Sequence, residues 1–162
     1  MGVLINMNIF VLDLDPEQCA MYHVDRHVVK MILETTQLLN NAVYRHNNVI
    51  PIYKITHNNH PASIWASKTK SNFIWLNNLG LSLCKEYTYR YGKIHKCQEY
   101  LELFSKRDFN LPDGDLTDFV QCMPNEYKAE NAVDAYRRYY IGAKQSLAKW
   151  TNRTIPYWWK YA

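Results

Sequence analysis

The sequence predicts an all-α fold, a compact single-domain bundle of three to four helices with a short N-terminal strand or arm. Three observations predict it. The chain has 162 residues, long enough for one buried core and too short for two comfortable ones. Apolar residues recur at helical spacing in three long stretches, about residues 16–45, 71–91 and 131–150. The segments between them collect Asn, Pro and Gly without a regular pattern, and no internal repeat or linker divides the chain.

Taken in order, "MNIFVLDLDP" (residues 7–16) opens with a short apolar run, a strand or a tethered arm, and stops at Asp15-Pro16, an N-cap followed by a proline in the first turn. From Pro16 to about Arg45, the residues Ala20, Met21, Val24, Val28, Met31, Ile32, Leu38, Leu39 and Ala42 share one helical arc, which makes this the principal helix. "HNNVIPIYKITHNNHPAS" breaks it as an irregular loop. Pro61 starts a short helical turn through Trp65. A second long helix from about Ser71 carries Phe73, Trp75, Leu76, Leu79, Leu83 and Tyr87 to Tyr91 and pauses at Gly92. A third helical stretch is expected over residues 94–104. Residues 105–130, with Pro112, Gly114, Pro124 and six of the fifteen acidic residues, read as loop. The last helix, about residues 131–150, turns Ala132, Tyr136, Tyr139, Ala143 and Leu147 to one side, and "RTIPYWWKYA" closes as an aromatic tail.

Composition narrows the function classes. Apolar residues make up 48% and charged residues 21%, values of a globular protein and not of a disordered one. Thirteen tyrosines and five tryptophans exceed the needs of a small core, and such rings stack on flat partners as well as filling mixed surfaces. The net charge of +4 is unevenly spread: residues 135–162 hold six basic residues, eight aromatic ones and no acid. Cations interleaved with rings suit a surface that meets phosphates and bases; the plainer alternative is a solvated helix face followed by a tail packed on the core. Cys19, Cys84, Cys97 and Cys122 form no CxxC pair and follow no secretory leader, so reduced thiols in a soluble intracellular protein, of cytoplasm or nucleoid, are expected. No apolar run approaches the roughly 20 residues that span a bilayer, so no membrane partner is expected. P-loop, GxGxxG and GxSxG motifs are absent, which removes several common enzyme classes.

The chemistry concentrates in "YHVDRHVVKMILETTQ", residues 22–37. On a continuous helix His23, His27, Lys30, Glu34 and Asn41 fall on one stripe beside the apolar arc, at the border of core and surface where partial desolvation shifts pKa values. A lysine there can serve as a nucleophilic amine, with neighbouring imidazoles and carboxylates relaying protons. The plain alternative is a Lys30–Glu34 helix salt bridge worth a few tenths of a kcal/mol. The His23/His27 pair also has metal-ligand spacing, but the acid of an HExxH motif is missing and Arg26 stands between them; a hydrolase with a metal on His23, His27, His57 and His60 is a distinct option.

Residues 59–92 carry Asn59-His60-Pro61 and then an aromatic-rich helix closing on Cys84, Glu86, Tyr87, Arg90, Tyr91 and Gly92. In this order of features the chain resembles the pyrimidine-dimer DNA glycosylase family, the small phage endonuclease V type and its bacterial relatives. The first helix and the Trp/Tyr/Lys tail are similar in layout, so the resemblance follows nearly the whole chain. It implies a viral- or phage-like all-α DNA repair enzyme that excises a damaged pyrimidine by glycosylase hydrolysis and nicks the abasic strand as a lyase. An amine attacks the sugar C1′ to form an imine, an acidic residue stabilises the sugar cation, and neither metal nor organic cofactor is needed. The family nucleophile is the N-terminal α-amine. Here "MGVLIN" precedes the methionine of "MNIFVLDLDP", and Arg26-His27 stands where an Arg-Glu is expected. Three options follow: a terminus processed to expose Gly2, Lys30 as the amine, or the fold reused as a non-catalytic nucleotide or modified-base binder. On the second option Lys30 attacks, Glu34 or Asp25 stabilises positive charge, and His23 or His27 moves the proton. The expected contacts to double-stranded DNA or a nucleotide are Arg26, His60, Trp65, Glu86, Arg90, Arg137, Arg138, Lys144, Lys149, Trp158 and Trp159, with Trp75, His95 and Arg153 as further candidates.

Overall fold

The computed structural model describes residues 7–49 and 52–159, and every regular element among them is helical. Among the described residues six α-helices replace the three or four expected, because the predicted first helix is divided in two and the short turn that starts at Pro61 is a helix of its own. The N-terminal apolar run is an arm: residues 7–12 pair with no strand, yet Val11 and Leu12 are fully buried.

Helix α1 (Pro16–Tyr22) starts on Asp15, whose carboxylate accepts the Glu17 N–H, with Pro16 in the first turn. The predicted continuous helix breaks at His23 and Val24, both extended, and restarts as α2 (Asp25–His46). A break exposes carbonyls that no helix satisfies. Arg90 takes two of them, donating to the oxygens of Met21 at 2.9 Å and His23 at 2.8 Å. The Asp25 N–H, freed at the new helix start, donates to the Lys149 carbonyl.

Helix α3 (Pro61–Lys68) and helix α4 (Lys70–Tyr91) meet at Thr69, whose hydroxyl caps α4 by accepting the Asn72 N–H; α4 stops at Gly92, left-handed at φ 67°. Helix α5 (Gln98–Lys106) begins four residues later than the predicted 94, after non-helical residues 92–95 and a turn at 96–97. Helix α6 (Ala132–Ala143), capped by Asn131 on the Asp134 N–H, ends well short of residue 150, and only a 3-10 turn, Gln145–Leu147, follows. The predicted loop at 105–130 is irregular apart from the 3-10 turn Asn125–Tyr127.

Helix α4 is the hub, packed on α1, α2, α3 and α5. Gly80 permits the closest approach: a Cβ there would stand 3.0 Å from Thr35 Cγ2 and 3.1 Å from Leu101. The apolar arc read from the sequence faces this core, with Val24, Val28, Ile32, Leu38, Leu39 and Ala42 fully buried. Among the described residues no helix is long and apolar enough to cross a membrane.

Candidate active site

A cleft of about 410 Å³ opens between the N-terminal arm, the first half of α2 and the segment from Cys122 to Lys144. Its walls carry Asn8 and Phe10 from the arm, His27, Lys30 and Glu34 from α2, and Met123, Tyr139 and Lys144 from the far side. Helical spacing sets the α2 contribution: residues 27, 30, 31 and 34 recur on one face, so an imidazole, an amine and a carboxyl project into the same hollow.

Glu34 is buried, and neither of its oxygens makes a hydrogen bond of normal geometry; Lys30 Nζ, half-exposed, lies 3.6 Å away. Burial pushes the Glu34 carboxyl from 4.5 up to about 7, against the opposing pull of the Lys30 charge and the Asn8 backbone N–H. His27 stacks on Phe10, ring centres 4.4 Å apart at 17°. The Tyr140 hydroxyl accepts the Val24 N–H and shares a second hydrogen bond, 2.7 Å long, with His27 Nδ1. Burial, then the nearby His23, Lys144, Lys30 and Arg26, hold His27 down to about 3, so the ring is neutral across the physiological range. The same three cations give the cleft a basic surround.

His23 does not join this group. The break between α1 and α2 turns it inward, where Nδ1 donates to the Cys19 carbonyl at 2.7 Å and burial lowers the ring to about 4. The stripe expected on one continuous helix is cut at that break, which separates His23 from His27, Lys30 and Glu34. Asp25, expected as a catalytic acid, is also a structural group: it accepts from Arg90 at 3.0 Å, from the Thr151 N–H at 2.8 Å and from the Thr151 hydroxyl at 2.5 Å. Glu86 and Arg90, expected to contact DNA, complete the same buried network. Arg90 donates to Glu86 at 2.9 Å, and Arg153 binds both Glu86 oxygens at 2.9 and 2.8 Å. Burial alone would raise the Glu86 carboxyl, but Arg153 and Arg90 outweigh it and hold the group below its ordinary value.

Other expected contacts also have structural roles. His60 caps α3, its Nδ1 accepting the Ala62 N–H. Trp65 is buried against Phe119 and donates to the Asp118 carbonyl; Trp75 donates to that of Leu14. Trp158 and Trp159 are buried in the ring cluster of Tyr22, Tyr140 and Trp150, so these two tail residues pack on the core. Arg137 is tied to the Leu12 carbonyl and to Asp13. His95 accepts the Cys97 N–H. Arg26, Arg138 and Lys149 remain exposed, and Lys144 stands at the cleft. Among the described residues no three His, Cys, Asp or Glu side chains converge on a metal position, so the four-histidine hydrolase site is not assembled.

Periodicity could not reveal the walls built from extended chain. Asn8, Phe10 and Met123 come from an arm and a loop, and Tyr139 shares one side of its helix with the buried Ala132 and Tyr136; the signal in the sequence is the density of rings and cations after residue 135. No curated protein matches the chain, and no solved structure does. A family model described as pyrimidine dimer DNA glycosylase matches residues 7–99, from the arm that walls the cleft through α1 to α4 and into the start of α5, and the chain therefore belongs to the pyrimidine dimer DNA glycosylase family, a family of DNA repair enzymes.

Proposed function

We propose that the cleft excises a damaged pyrimidine from double-stranded DNA through an amine that forms an imine with the sugar, and then cleaves the abasic strand. The observation that carries this reading is the Lys30–Glu34 pair: an amine 3.6 Å from a carboxyl that burial holds near neutrality, in a hollow with a basic surround. In the first step Glu34 takes a proton from the Lys30 ammonium, the freed lone pair attacks C1′, the glycosidic bond breaks, and the departing base takes the bonding electron pair and that proton from Glu34. The sugar ring then opens: the attached nitrogen gives up a proton to O4′ and its lone pair forms the C1′=N bond as O4′ leaves as a hydroxyl. In the second step the Glu34 carboxylate removes a C2′ proton, and the electrons expel the 3′ phosphate. A carboxyl titrating near 7 supplies the acid form to one step and the base form to the other at neutral pH. His27, a neutral imidazole on the cleft wall, is suited to hydrogen-bond the base or sugar. Arg26, Arg138, Lys144 and Lys149, none of which pairs with a carboxylate among the described residues, can meet phosphates, which position the strand without reading its sequence.

The arm offers a second amine. Met7 and Asn8 line the same cleft, and the Asn8 N–H faces Glu34, so a chain whose first residue is Met7 would bring an α-amine to it. Borohydride reduction of a reaction on a duplex with one thymine dimer tests the proposal. A covalent protein–DNA adduct is expected, absent from undamaged duplex, and peptide mapping places it on Lys30 or on the terminal residue. Loss of the adduct in Lys30→Ala identifies Lys30, and its retention there with loss on blocking the α-amine identifies the terminus. Binding of the damaged duplex with neither adduct nor base release would overturn the catalytic reading in favour of a nucleotide-binding role.

A further inference from the structure

We infer that Tyr136 is a positioning residue for the reaction: its hydroxyl grips the Asn8 carboxamide and so holds the N-terminal arm with the Asn8 N–H turned towards Glu34. The inference rests on the reading of Glu34 as the acid and base of the cleft, and adds to it the group that fixes the carboxyl's surroundings. Tyr136 is fully buried on α6 and does not line the cleft, so it acts through the arm.

Three residues from three segments close a ring of hydrogen bonds. The Tyr136 hydroxyl donates to Asn8 Oδ1 at 2.7 Å, Asn8 Nδ2 donates to the Cys122 carbonyl at 2.9 Å, and the Cys122 N–H donates back to the Tyr136 oxygen at 3.1 Å. Each member both gives and accepts, so the bonds reinforce one another. The Val120 carbonyl, at 3.0 Å, is a second and longer acceptor for the Tyr136 proton. The neighbours of the carboxamide fix its orientation. Oδ1 meets the Ile9 N–H at 2.9 Å, which can only donate, and Nδ2 meets a carbonyl, which can only accept. Burial raises the Tyr136 hydroxyl well above its ordinary value, so it keeps its proton at every working pH.

The arm depends on such side-chain ties, since residues 7–12 pair with no strand. Its inner end is fastened at Phe10 and Leu12 by the Cys19 thiol and Arg137, and its cleft end is fastened by Asn8. Asn8 stands with Glu34 on the cleft wall, and its N–H favours the charged carboxylate, as the Lys30 ammonium does. The other titratable groups on the walls are His27 on α2, Cys122 on the segment before α6, and Tyr139 and Lys144 on the far side. Opening the ring of bonds frees the arm and withdraws the N–H, and Glu34 then stays protonated to a higher pH.

Carbon NMR of protein labelled at its glutamate carboxyls tests this, the Glu34 signal being the one lost in Glu34→Gln. Tyr136→Phe, which keeps the ring and removes the hydroxyl, is expected to raise the Glu34 titration midpoint by roughly half to one pH unit. Asn8→Ala, which opens the clamp from the arm and keeps the backbone N–H, is expected to raise it by the same amount, and the double variant by no more than either. Phe104→Leu, a buried substitution on α5 away from the cleft, is expected to destabilise the fold without moving the midpoint. The pH profile of single-turnover base release from a thymine-dimer duplex is expected to move upward with the midpoint. Circular dichroism establishes which variants are folded, and Asn8→Ala decides the question if Tyr136→Phe is not. A midpoint unchanged in a folded clamp variant, or moved as far in Phe104→Leu, would overturn the inference, as would a release profile that stays in place while the midpoint moves. A wild-type protein that releases no base defeats the excision chemistry and leaves the titration to decide the clamp.

Discussion

Replacing Glu34 with glutamine should make the protein more stable and inactive at once. Glu34 ionises near 4.5 when exposed and at about 7 in the fold, because its burial disfavours the charged form more than Lys30 and the Asn8 N–H favour it. A group whose folded value is raised contributes its full stability below the unfolded value and loses it as pH rises through the folded one. For Glu34 that window runs from 4.5 to about 7. At about 1.4 kcal/mol per pH unit, the ionised carboxylate costs on the order of 3 kcal/mol at pH 8 and under about 1 kcal/mol at pH 5. Glutamine keeps the shape and removes the charge. Urea unfolding of wild type and Glu34→Gln at both pH values checks this. With a slope of roughly 1–3 kcal/mol per molar urea, the variant's midpoint should rise by on the order of 1 M at pH 8 and only slightly at pH 5. Base release should meanwhile fall by at least about 100-fold, since the proton donor and acceptor is gone. The two buried histidines affect both proteins alike and cancel in the difference. A stability gain that is the same at both pH values, or a loss at pH 8, would refute the argument that an ionising carboxyl is held in the cleft at a cost to the fold.

Acid should act in the opposite sense through His23 and His27, whose folded values near 4 and 3 lie below the ordinary 6.5. Their contribution is complete above 6.5 and is lost as pH falls through the folded values, and His27→Phe should remove on the order of 3 kcal/mol of the loss between pH 8 and pH 4, read by circular dichroism. Arg90→Met should destabilise by about 3–5 kcal/mol in thermal or urea unfolding, because Asp25, Glu86 and the Met21 and His23 carbonyls lose their shared donor inside the core. Gly80→Ala should cost about 1–3 kcal/mol by the same assays, the added methyl forcing α4 away from Thr35 and Leu101.

Much of this molecule is legible in its sequence, for reasons that differ by element. The long helices α2 and α4 bury one-sided apolar arcs whose period is visible in any window, and Asp15-Pro16, Asn131 and Gly92 mark termini by local chemistry that needs no tertiary context. The grouping of His27, Lys30 and Glu34 follows from the same spacing within one unbroken helix. What could not be read depends on distant partners. The interruption at His23 and Val24 is stabilised by a guanidinium from α4, whose donors appear in the sequence only as Arg90. Asp25 and Glu86 carry the same residue types as catalytic acids, and only the positions of Arg90, Thr151 and Arg153 show them to be satisfied. The ring-rich tail illustrates the same ambiguity, since Trp158 has the composition of a stacking platform and the burial of a core residue.

The ion network also bears on when the molecule can finish folding as it leaves the ribosome. Its acids lie on α2 and α4, but Thr151 and Arg153 are made well after both helices. A nascent chain that has emerged only as far as α5 holds most of its apolar core and two carboxylates facing a single guanidinium, an imbalance that opposes sealing the interior. Completion of the N-terminal half therefore waits on synthesis of the C-terminal strap, and a ribosome stalled before that point would display a loosened, protease-sensitive α1–α2 junction.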